Sequence, residues 1–326
     1  MENKVQLGTL SMNSSPHIVT KLDTAKTMKY VLLALLPAFC VSIYVFGARV
    51  IALTAVCVIA SVFFEWAYEK LMKKPVTIAD FSACVTGVIL AFNLPSGFPF
   101  WMAVIGCFVS IVIVKQLFGG IGKNFANPAI VGRIVLMLSF TTQMTTWPVP
   151  RGVDGTTGAT PLNLMENGGQ LASLKALFLG TTGGCLGEVS ALALIIGGVF
   201  LIVKKIIDPI IPCSFIGTVF VFALIYYGVK GSDAGALHMA LYNILAGGVM
   251  LGAIFCATDY VTSPIMNNGK LIFGIGCGLF TMLIRLFCNY PEGVSFSILF
   301  MNLFVPLIDR TTMKRYYASL YGGAKK

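Results

Sequence analysis

The sequence predicts an all-α polytopic membrane protein with about ten transmembrane helices, some of them interrupted, arranged as an internal repeat of five plus five. Of the 326 residues, 57% are hydrophobic and 11% are charged, whereas soluble domains carry about 25% charged residues. A membrane-spanning helix uses roughly 20 apolar residues, so ten of them occupy about 200 residues and leave short loops. This arithmetic excludes a large soluble domain.

Ten apolar runs, each bounded by charged residues or by glycine and proline, are the predicted spans. Five precede a long polar stretch and five follow it. An even number of crossings places both termini on the same side of the membrane. The runs cover residues 28–46, 50–67, 81–94, 98–114, 126–140, 189–203, 211–227, 237–255, 271–287 and 294–307.

The basic residues orient these spans. Lys and Arg are enriched in the cytoplasmic segments of membrane proteins, and one set of alternating segments holds 18 of the 23 basic residues while the other holds five. The richer set includes both termini, so we expect both termini in the cytoplasm. Topology therefore explains the net charge of +10, and nucleic acid is not an expected partner. The five residues on the other side are Arg49, Arg151, Lys175, Lys230 and Arg285.

This topology divides the chain into five regions. The N-terminal segment is polar and lacks the apolar stretch of a cleaved signal peptide. The long loop in the middle is of a length that is usually functional or disordered. The regions are a cytoplasmic segment at 1–27, a first transmembrane half at 28–140, an extracytoplasmic loop at 141–187, a second transmembrane half at 189–307 and a cytoplasmic tail at 308–326.

Helix-breaking residues border the short third and fifth spans. The sequence NLP at 93–95 closes the third span, and NFANP at 124–128 opens the fifth. Interrupted helices are tolerated at membrane depth where they face protein or a cavity. In the second half, GGVML at 247–251 resembles TGVIL at 86–90, and an interrupted stretch follows each. Such paired interruptions indicate an internal duplication and favour a binding site between the two halves.

The cysteines and histidines do not predict a metal or disulfide site. Among the nine cysteines there is no CxxC pair, several lie inside apolar runs, and only two histidines are present. Cysteine is a common small packing residue in apolar surroundings. The chain also offers no convincing nucleophile or general base, so we expect no catalytic residue and no metal.

The long loop contains a stretch rich in glycine and threonine, RGVDGTTGATPL at 151–162. Its backbone N–H groups and hydroxyls suit a phosphate, although an ordinary flexible turn has the same composition. The Gly-Lys pair of a nucleotide P-loop is absent and no predicted strand precedes the stretch, which excludes P-loop and Rossmann sites. Farther along the loop, Leu171, Leu174, Leu177 and Phe178 recur at helical spacing, which predicts a short helix on the membrane surface.

The segment DGTTGATPL at 154–162 resembles a flavin-attachment motif. The family that carries it comprises the D subunit of the Rnf electron-transport complex and the B subunit of the sodium-pumping NADH:quinone oxidoreductase. Further similarity lies in SSPHI at 14–18, FGGIG at 118–122 followed by NPA at 127–129, and ATDYVTSP at 257–264. These motifs follow the family's order over nearly the whole chain. One departure is Tyr260, where the family pattern has proline.

The resemblance implies that Thr160 carries FMN through a phosphoester bond, with Asp154, Gly155, Thr157, Gly158 and Ala159 shaping the attachment loop. It implies a relay that receives electrons from a flavin-bearing subunit at the outer face and passes them inward, with a second, non-covalent flavin such as riboflavin among the spans. The implied partners are the A, B, C, E and G types of Rnf subunit, a separate flavin transferase and membrane lipid. The implied location is the bacterial inner membrane.

Three further residues are candidates with open alternatives. Gly119 and Gly120 allow close approach of a second flavin or an ion, or they allow helices to pack closely. Asp259 stands beside the end of an apolar run, where acids are by default functional. It binds a coupling cation or the second flavin, or it caps Thr262 or a nearby helix. At the level of function, a secondary transporter and a non-redox membrane scaffold remain alternatives to the flavoprotein.

Overall fold

The computed structural model describes residues 23–148, 158, 160–166, 171–180, 182–231, 235–288 and 292–321. Helices dominate these residues, and extended pairing among them is limited to isolated bridges, one of which joins Pro95 and Cys185. The all-α class predicted from the sequence is confirmed. The chain forms a polytopic bundle with apolar helices arranged in two successive groups.

The first group begins with the long helices α1 and α2. The Asp23 side chain caps α1 by accepting a hydrogen bond from the Thr24 N–H at 2.7 Å, and Asn127 caps α5 by accepting from the Ala129 N–H at 3.1 Å. Such caps satisfy backbone donors that lack a partner in the first turn. The group comprises α1 Thr24–Phe46, α2 Arg49–Leu71, α3 Ser82–Phe92, α4 Phe100–Phe108 with its π-helical continuation Val109–Gln116, and α5 Pro128–Ser139.

A segment of short helices separates the two groups. It contains α6 Thr141–Met144, α7 Pro161–Glu166 and α8 Leu174–Leu179. The second group then comprises α9 Ala191–Val203, α10 Ile210–Lys230, α11 Ala236–Leu245, α12 Val249–Leu251 with its π-helical continuation Gly252–Cys256, α13 Asn267–Phe287 and α14 Val294–Tyr321. The predicted helix around Leu174 is confirmed as α8.

Every one of the ten predicted apolar runs overlaps a helix or a broken helix. Five helical stretches are long and apolar enough to cross a membrane, and the bent pair of α11 with α12 adds a sixth if it counts as one span. The other four stretches, in α3, α4, α5 and α9, are apolar but have between 10 and 17 residues. Length and composition therefore establish a multi-pass protein, while a count of ten depends on the short helices.

Both groups contain a broken helix. Residues 93–99 separate α3 from α4, and the Leu94 carbonyl there accepts from the Leu186 N–H at 3.0 Å. Residues 246–248 separate α11 from α12, with a bend of 61°. TGVIL lies inside α3, whereas GGVML begins at the second break, so these two similar sequences occupy different positions relative to the breaks.

Glycines let several helix pairs approach closely. A Cβ at Gly197 of α9 would overlap the Ala34 carbonyl of α1, and a Cβ at Gly87 of α3 would lie 2.9 Å from the Cys57 carbonyl of α2. In membrane proteins, small residues at interfaces permit this backbone contact and the packing energy that follows from it. The close α1–α9 contact joins the first group of helices to the second.

Contacts between distant segments define two faces of the bundle. At the face where α1 begins, called the inner face here, Thr24 shares a cavity with Lys115 and Asp259. At the opposite face, called the outer face, Thr160 shares a pocket with Glu292. Residues 188–201 run from the outer pocket to the inner cavity, and the ten steps within α9, from Ala191 to Leu201, correspond to about 15 Å at 1.5 Å per residue.

Three of the basic residues assigned to loops from the sequence are buried. Lys115, Arg133 and Arg285 are 3%, 2% and 4% exposed, and they bond to other parts of the chain. Their charges therefore say nothing about the orientation of the spans. Leaving out Lys115 and Arg133 on one side and Arg285 on the other changes the distribution of basic residues from 18 against five to 16 against four. This distribution still favours cytoplasmic termini.

Candidate functional site

Thr160 stands at the start of α7, at the outer face. Its carbonyl accepts the first helical hydrogen bond from the Leu164 N–H at 2.9 Å, and Pro161 occupies the first helical position, where its missing N–H costs nothing. The Thr160 residue is 6% exposed. It borders a pocket of about 10 Å³, which has room for about one water molecule. The other lining residues are Pro161, Leu162, Leu177, Thr182, Gly183, Gly184, Glu188, Leu245, Gly247 and Glu292.

Apolar packing holds α7 against the broken helix of the second group. Leu162 and Leu177 form a small cluster with Tyr242 and Ala246, and the Tyr242 hydroxyl donates to the Pro161 carbonyl at 3.1 Å. Gly247 follows Ala246 of this cluster and has a φ of +70°. A Cβ there would lie 2.6 Å from Leu162 Cδ1, so the bend of the helix and the position of Thr160 depend on the same glycine.

Part of the predicted flavin-attachment motif lies outside the described residues. Asp154, Gly155, Thr157 and Ala159 belong to that part. Gly158 is described, and its N–H donates to the Trp147 carbonyl at 2.9 Å. Gly158 is exposed while Thr160 is buried, so the end of the motif passes from the surface into the outer pocket within two residues.

Next to the outer pocket, Arg133 of α5 is the centre of a buried polar network that the sequence did not predict. Its guanidinium donates to Asn93 Oδ1 at 2.8 Å, lies 3.5 Å from Glu188 Oε1 and forms an ion pair with Glu292. Buried charges are tolerated when they are paired and hydrogen-bonded. The network therefore joins α5, the break after α3, and the segments that precede α9 and α14.

Cys185, Glu188 and Glu292 are close enough to hold a metal ion, with one ligand atom of each within 4.8 Å of the others. The Arg133 guanidinium already bonds to all three. Burial is the main reason that the pKa of the Cys185 thiol rises to about 12, so this thiol is neutral beside the guanidinium. Glu188 and Glu292 therefore supply the negative charge that compensates Arg133, and the Cys185 thiol accepts a weak hydrogen bond from the same guanidinium.

The inner face contains a much larger cavity, of about 410 Å³, within the range of small-molecule sites. Apolar side chains from both groups of helices form most of its wall, including Val85, Ile89, Ile207 and Phe255. A few polar groups converge on the same space, which is the usual composition of a ligand site. The polar lining residues are Thr24, Thr27, Ser82, Thr86, Lys115, Asn124, Asn127, Thr258, Asp259 and Tyr260.

Asp259 borders the inner cavity. Its carboxylate accepts from the Val261 N–H at 3.4 Å and from the Thr262 hydroxyl at 3.2 Å, so the capping alternative is present at the same time as the cavity contact. Burial raises the pKa of the Asp259 carboxyl, and these two hydrogen bonds lower it in part. The structure thus brings the candidate acid to a ligand-sized space.

Gly119 and Gly120 form the turn after the first π-helix and do not line the inner cavity. Both have positive φ, +114° and +89°, a region that favours glycine. The Gly120 N–H donates to the Lys115 carbonyl at 3.0 Å, which ends the helix. These glycines shape the loop that carries Asn124 and Asn127 to the cavity, and Asn127 also donates to the Cys256 carbonyl at 3.1 Å.

The family described as "NQR2, RnfD, RnfE family" matches residues 11–318. The D subunit of the Na(+)-translocating ferredoxin:NAD(+) oxidoreductase complex of Acetobacterium woodii is 49% identical, over 94% of this chain and 95% of its own. The D subunit of the proton-translocating ferredoxin:NAD(+) oxidoreductase complex of Clostridium ljungdahlii is 41% identical, over 95% and 97%. The D subunit of an ion-translocating oxidoreductase complex of Stutzerimonas stutzeri is 38% identical, over 90% and 91%.

Proposed function

The chain belongs to the NQR2, RnfD, RnfE family, and from this premise we propose that it is the D-type membrane subunit of an ion-translocating ferredoxin:NAD oxidoreductase (Rnf) complex. In this function the subunit relays electrons across the membrane, coupled to transport of Na⁺ or H⁺. The observation that carries the proposal is the pair of sites at opposite faces of one helical bundle, the Thr160 pocket outside and the 410 Å³ cavity inside. An electron relay across a membrane needs a redox cofactor near each surface.

The redox cofactor at the outer face is FMN, attached to the Thr160 hydroxyl by a phosphoester bond. The small outer pocket fits this attachment with the flavin ring lying outside it, because a space of about 10 Å³ holds no more than about one water. Two glycines that line the same pocket as Thr160, Gly184 and Gly247, allow close approach of backbone to a phosphate. Bound FMN supplies the redox chemistry, while the protein binds and orients it.

The redox cofactor at the inner face is a second, non-covalent flavin in the inner cavity. The apolar wall suits a planar aromatic ring, and the few polar groups suit the edge of that ring, where hydrogen bonds fix orientation. Lys115 and Asn127 project polar groups to this cavity from one side, and Thr258 and Asp259 from the other. Asp259 also remains the candidate for binding the coupling cation, since a half-buried carboxylate at a cavity attracts a cation.

The order of elements in the two groups supports an internal repeat. In the first group, two helices are followed by a short helix, a break, a π-helical segment, a loop to the inner cavity and a further helix. The second group, α9 to α13, has the same order, and α14 follows. With ten crossings, the termini are cytoplasmic and the 141–187 loop, with its flavin, is extracytoplasmic in the bacterial inner membrane.

The proposed partners are the A, B, C, E and G types of Rnf subunit. The flavin-bearing G subunit is the electron donor or acceptor at the outer face, since that face carries Thr160. A separate flavin transferase attaches FMN. Because Thr160 is 6% exposed in the docked segment, α7 has to leave the outer pocket for the transferase to reach the hydroxyl.

Peptide mass spectrometry tests the proposed function. The protein, produced together with a flavin transferase and its complex partners, is digested with trypsin, which cuts after Arg151 and Lys175. We expect the 152–175 peptide to carry an FMN-sized mass on Thr160, and Thr160→Ala to remove it. An unmodified peptide from wild-type protein would refute covalent flavin. The inner cavity would then favour the alternative function, a secondary transporter.

A further inference from the structure

Helix α2 carries a row of buried polar side chains along one face, directed away from lipid. Thr54, Ser61, Glu65 and Glu69 are spaced by seven, four and four residues, which places them on one face of a helix, and they are 7%, 0%, 0% and 2% exposed. Polar residues inside a membrane protein are costly and commonly mark ion or proton pathways.

Three oxygens in this row lack a hydrogen-bond partner among the described residues. They are Thr54 Oγ1, Ser61 Oγ and Glu65 Oε2. A buried oxygen without a partner costs free energy unless a proton, an ion or water reaches it. The other carboxylate oxygen of the same glutamate, Glu65 Oε1, accepts from Lys115 Nζ at 2.6 Å and from Gln116 Nε2 at 2.9 Å. One oxygen of the Glu65 carboxylate therefore accepts two hydrogen bonds, and the other is buried without a partner among the described residues.

Lys115 connects Glu65 to the inner cavity. Its ammonium donates to Glu65 and also to the Ser82 hydroxyl at 2.6 Å, and both Lys115 and Ser82 line the cavity. One positive charge therefore compensates Glu65 and lies at the wall of the cavity. Negative charge that develops in the cavity attracts this ammonium and weakens its compensation of Glu65, because electrostatic interactions are strong at buried sites.

A chain of hydrogen bonds joins Glu65 to the inner surface. Gln116 Nε2 also reaches Glu69 Oε1 at 3.4 Å, and Glu69 Oε2 accepts from the N–H of Thr77 at 3.0 Å. Thr77 lies in an exposed loop. Glu65 itself is six residues from the inner end of α2, about 9 Å at 1.5 Å per residue. The charged and titratable groups that face Glu65 are Lys115 from the π-helix, Asp80 from the turn before α3, Cys84 from α3, and Glu69 from α2.

We propose that Glu65 is a proton-binding site on the inner side of the bundle, which takes up a proton from the inner surface when negative charge develops in the inner cavity. The step adds H⁺ to the Glu65 carboxylate and gives a neutral carboxylic acid, so the buried region keeps its net charge after an electron arrives. This inference rests on the proposed function for the source of the electron. A metal cation is a poor occupant, because the Lys115 ammonium already lies against the carboxylate.

Infrared difference spectroscopy of the purified whole complex, reduced minus oxidised, tests the site. We expect a carboxylic-acid C=O band to appear on reduction, to shift in heavy water and to be lost in Glu65→Gln. Asp208→Asn is the matched control, since Asp208 is an exposed inner-face acid paired with Lys270, and it should retain the band. Lys115→Met should also alter the difference band, because it removes the ammonium that compensates the Glu65 carboxylate.

The failures of the two proposals are distinguishable. Flavin fluorescence and the visible spectrum report on flavin content and reduction in each variant. A full flavin spectrum with a band that survives Glu65→Gln would overturn the Glu65 site and leave the relay intact. A band that depends on Na⁺ concentration at fixed pH would assign the site to a metal cation instead. A wild-type complex without flavin would refute the relay and the Glu65 inference together.

Discussion

At the scale of single residues, the proposed attachment of flavin depends on the Thr160 hydroxyl. A phosphoester needs a hydroxyl oxygen, so Thr160→Ala should abolish covalent flavin and Thr160→Ser should retain part of it. Thr157→Ala should lower the extent of modification without moving its site. The measurement is ultraviolet fluorescence of the denatured polypeptide band after production with a flavin transferase. Equal fluorescence in the Thr160→Ala variant would contradict the assignment.

The carboxyl of Asp259 should make ion coupling depend on pH. Burial raises its pKa, so protons compete with a bound cation at higher pH than they would at an exposed aspartate. As pH falls through that raised pKa, the carboxylate becomes neutral and the apparent affinity for Na⁺ decreases. Asp259→Asn should lower ion-coupled electron transfer at every pH and leave covalent FMN unchanged.

Reconstituted vesicles provide the measurement for Asp259. Electron transfer is followed at several Na⁺ concentrations and pH values in wild type and in the Asn variant. Asp309→Asn is the control, since this acid accepts from the Ile265 N–H at the end of the same loop but does not line the inner cavity. Unaltered ion pumping in Asp259→Asn would remove Asp259 from the site.

Some site residues were predictable from sequence and others were not, for a physical reason. Thr160 belongs to a continuous motif, and Asp259 stands out as an acid beside an apolar run. Arg133 was assigned to a cytoplasmic segment because its partners are remote, and Glu292 lies 159 residues away. Pairing of that kind depends on how the helices pack, which composition and local pattern do not determine.

At the scale of elements, the break between α11 and α12 positions the Thr160 segment. Gly247→Ala should be destabilising, because a side chain at φ +70° is strained by about 1 kcal/mol or more and its Cβ would lie 2.6 Å from Leu162 Cδ1 and 2.9 Å from Arg285 Nη2. We expect a lower melting temperature and altered exposure of Thr160. Gly217→Ala, where a Cβ meets nothing within 4 Å, is the control.

Limited proteolysis and flavin fluorescence measure this effect. Loosened α7 should be cut faster in the Gly247→Ala variant, and the extent of flavin attachment should change as Thr160 becomes more accessible. If the Gly217→Ala and Gly247→Ala variants behave alike, the break does not control the docking of α7.

The helices themselves followed closely from the sequence, since long apolar runs leave few alternatives. The ends of α3 and α5 were also predictable, because Asn93 and Pro95 stop one helix and Asn127 with Pro128 starts the other. The π-helical segments were not, since their residues read as ordinary apolar helix. The π-helical continuation of α4 contains Lys115 and Gln116, whose side chains donate to Glu65 of α2, a contact that the local sequence does not indicate.

At the scale of the whole molecule, the Arg133 network connects the two groups of helices. Arg133→Met would leave Glu188 and Glu292 buried without their cation, and breaking a buried ion pair by removing one partner typically costs about 3–5 kcal/mol. We expect a large decrease in thermal stability of the purified complex. Arg49→Met, whose guanidinium makes one exposed hydrogen bond to the Gly97 carbonyl, should change it little, and equal losses would contradict the role of Arg133.

The charge split predicts the orientation of the whole molecule in the membrane, and this orientation decides which face of the proposed relay is cytoplasmic. Excluding the buried Lys115, Arg133 and Arg285, the split of 16 against four predicts cytoplasmic termini and an extracytoplasmic α8. In a background where the exposed Cys40, Cys213 and Cys288 are replaced by serine, an impermeant thiol reagent on intact cells should label Lys175→Cys. It should label Lys326→Cys and Lys73→Cys only after permeabilisation. Lys175 and Lys73 are exposed positions, so labelling of them depends on the side of the membrane on which they lie rather than on burial. The reverse labelling pattern would show that the Thr160 face is cytoplasmic.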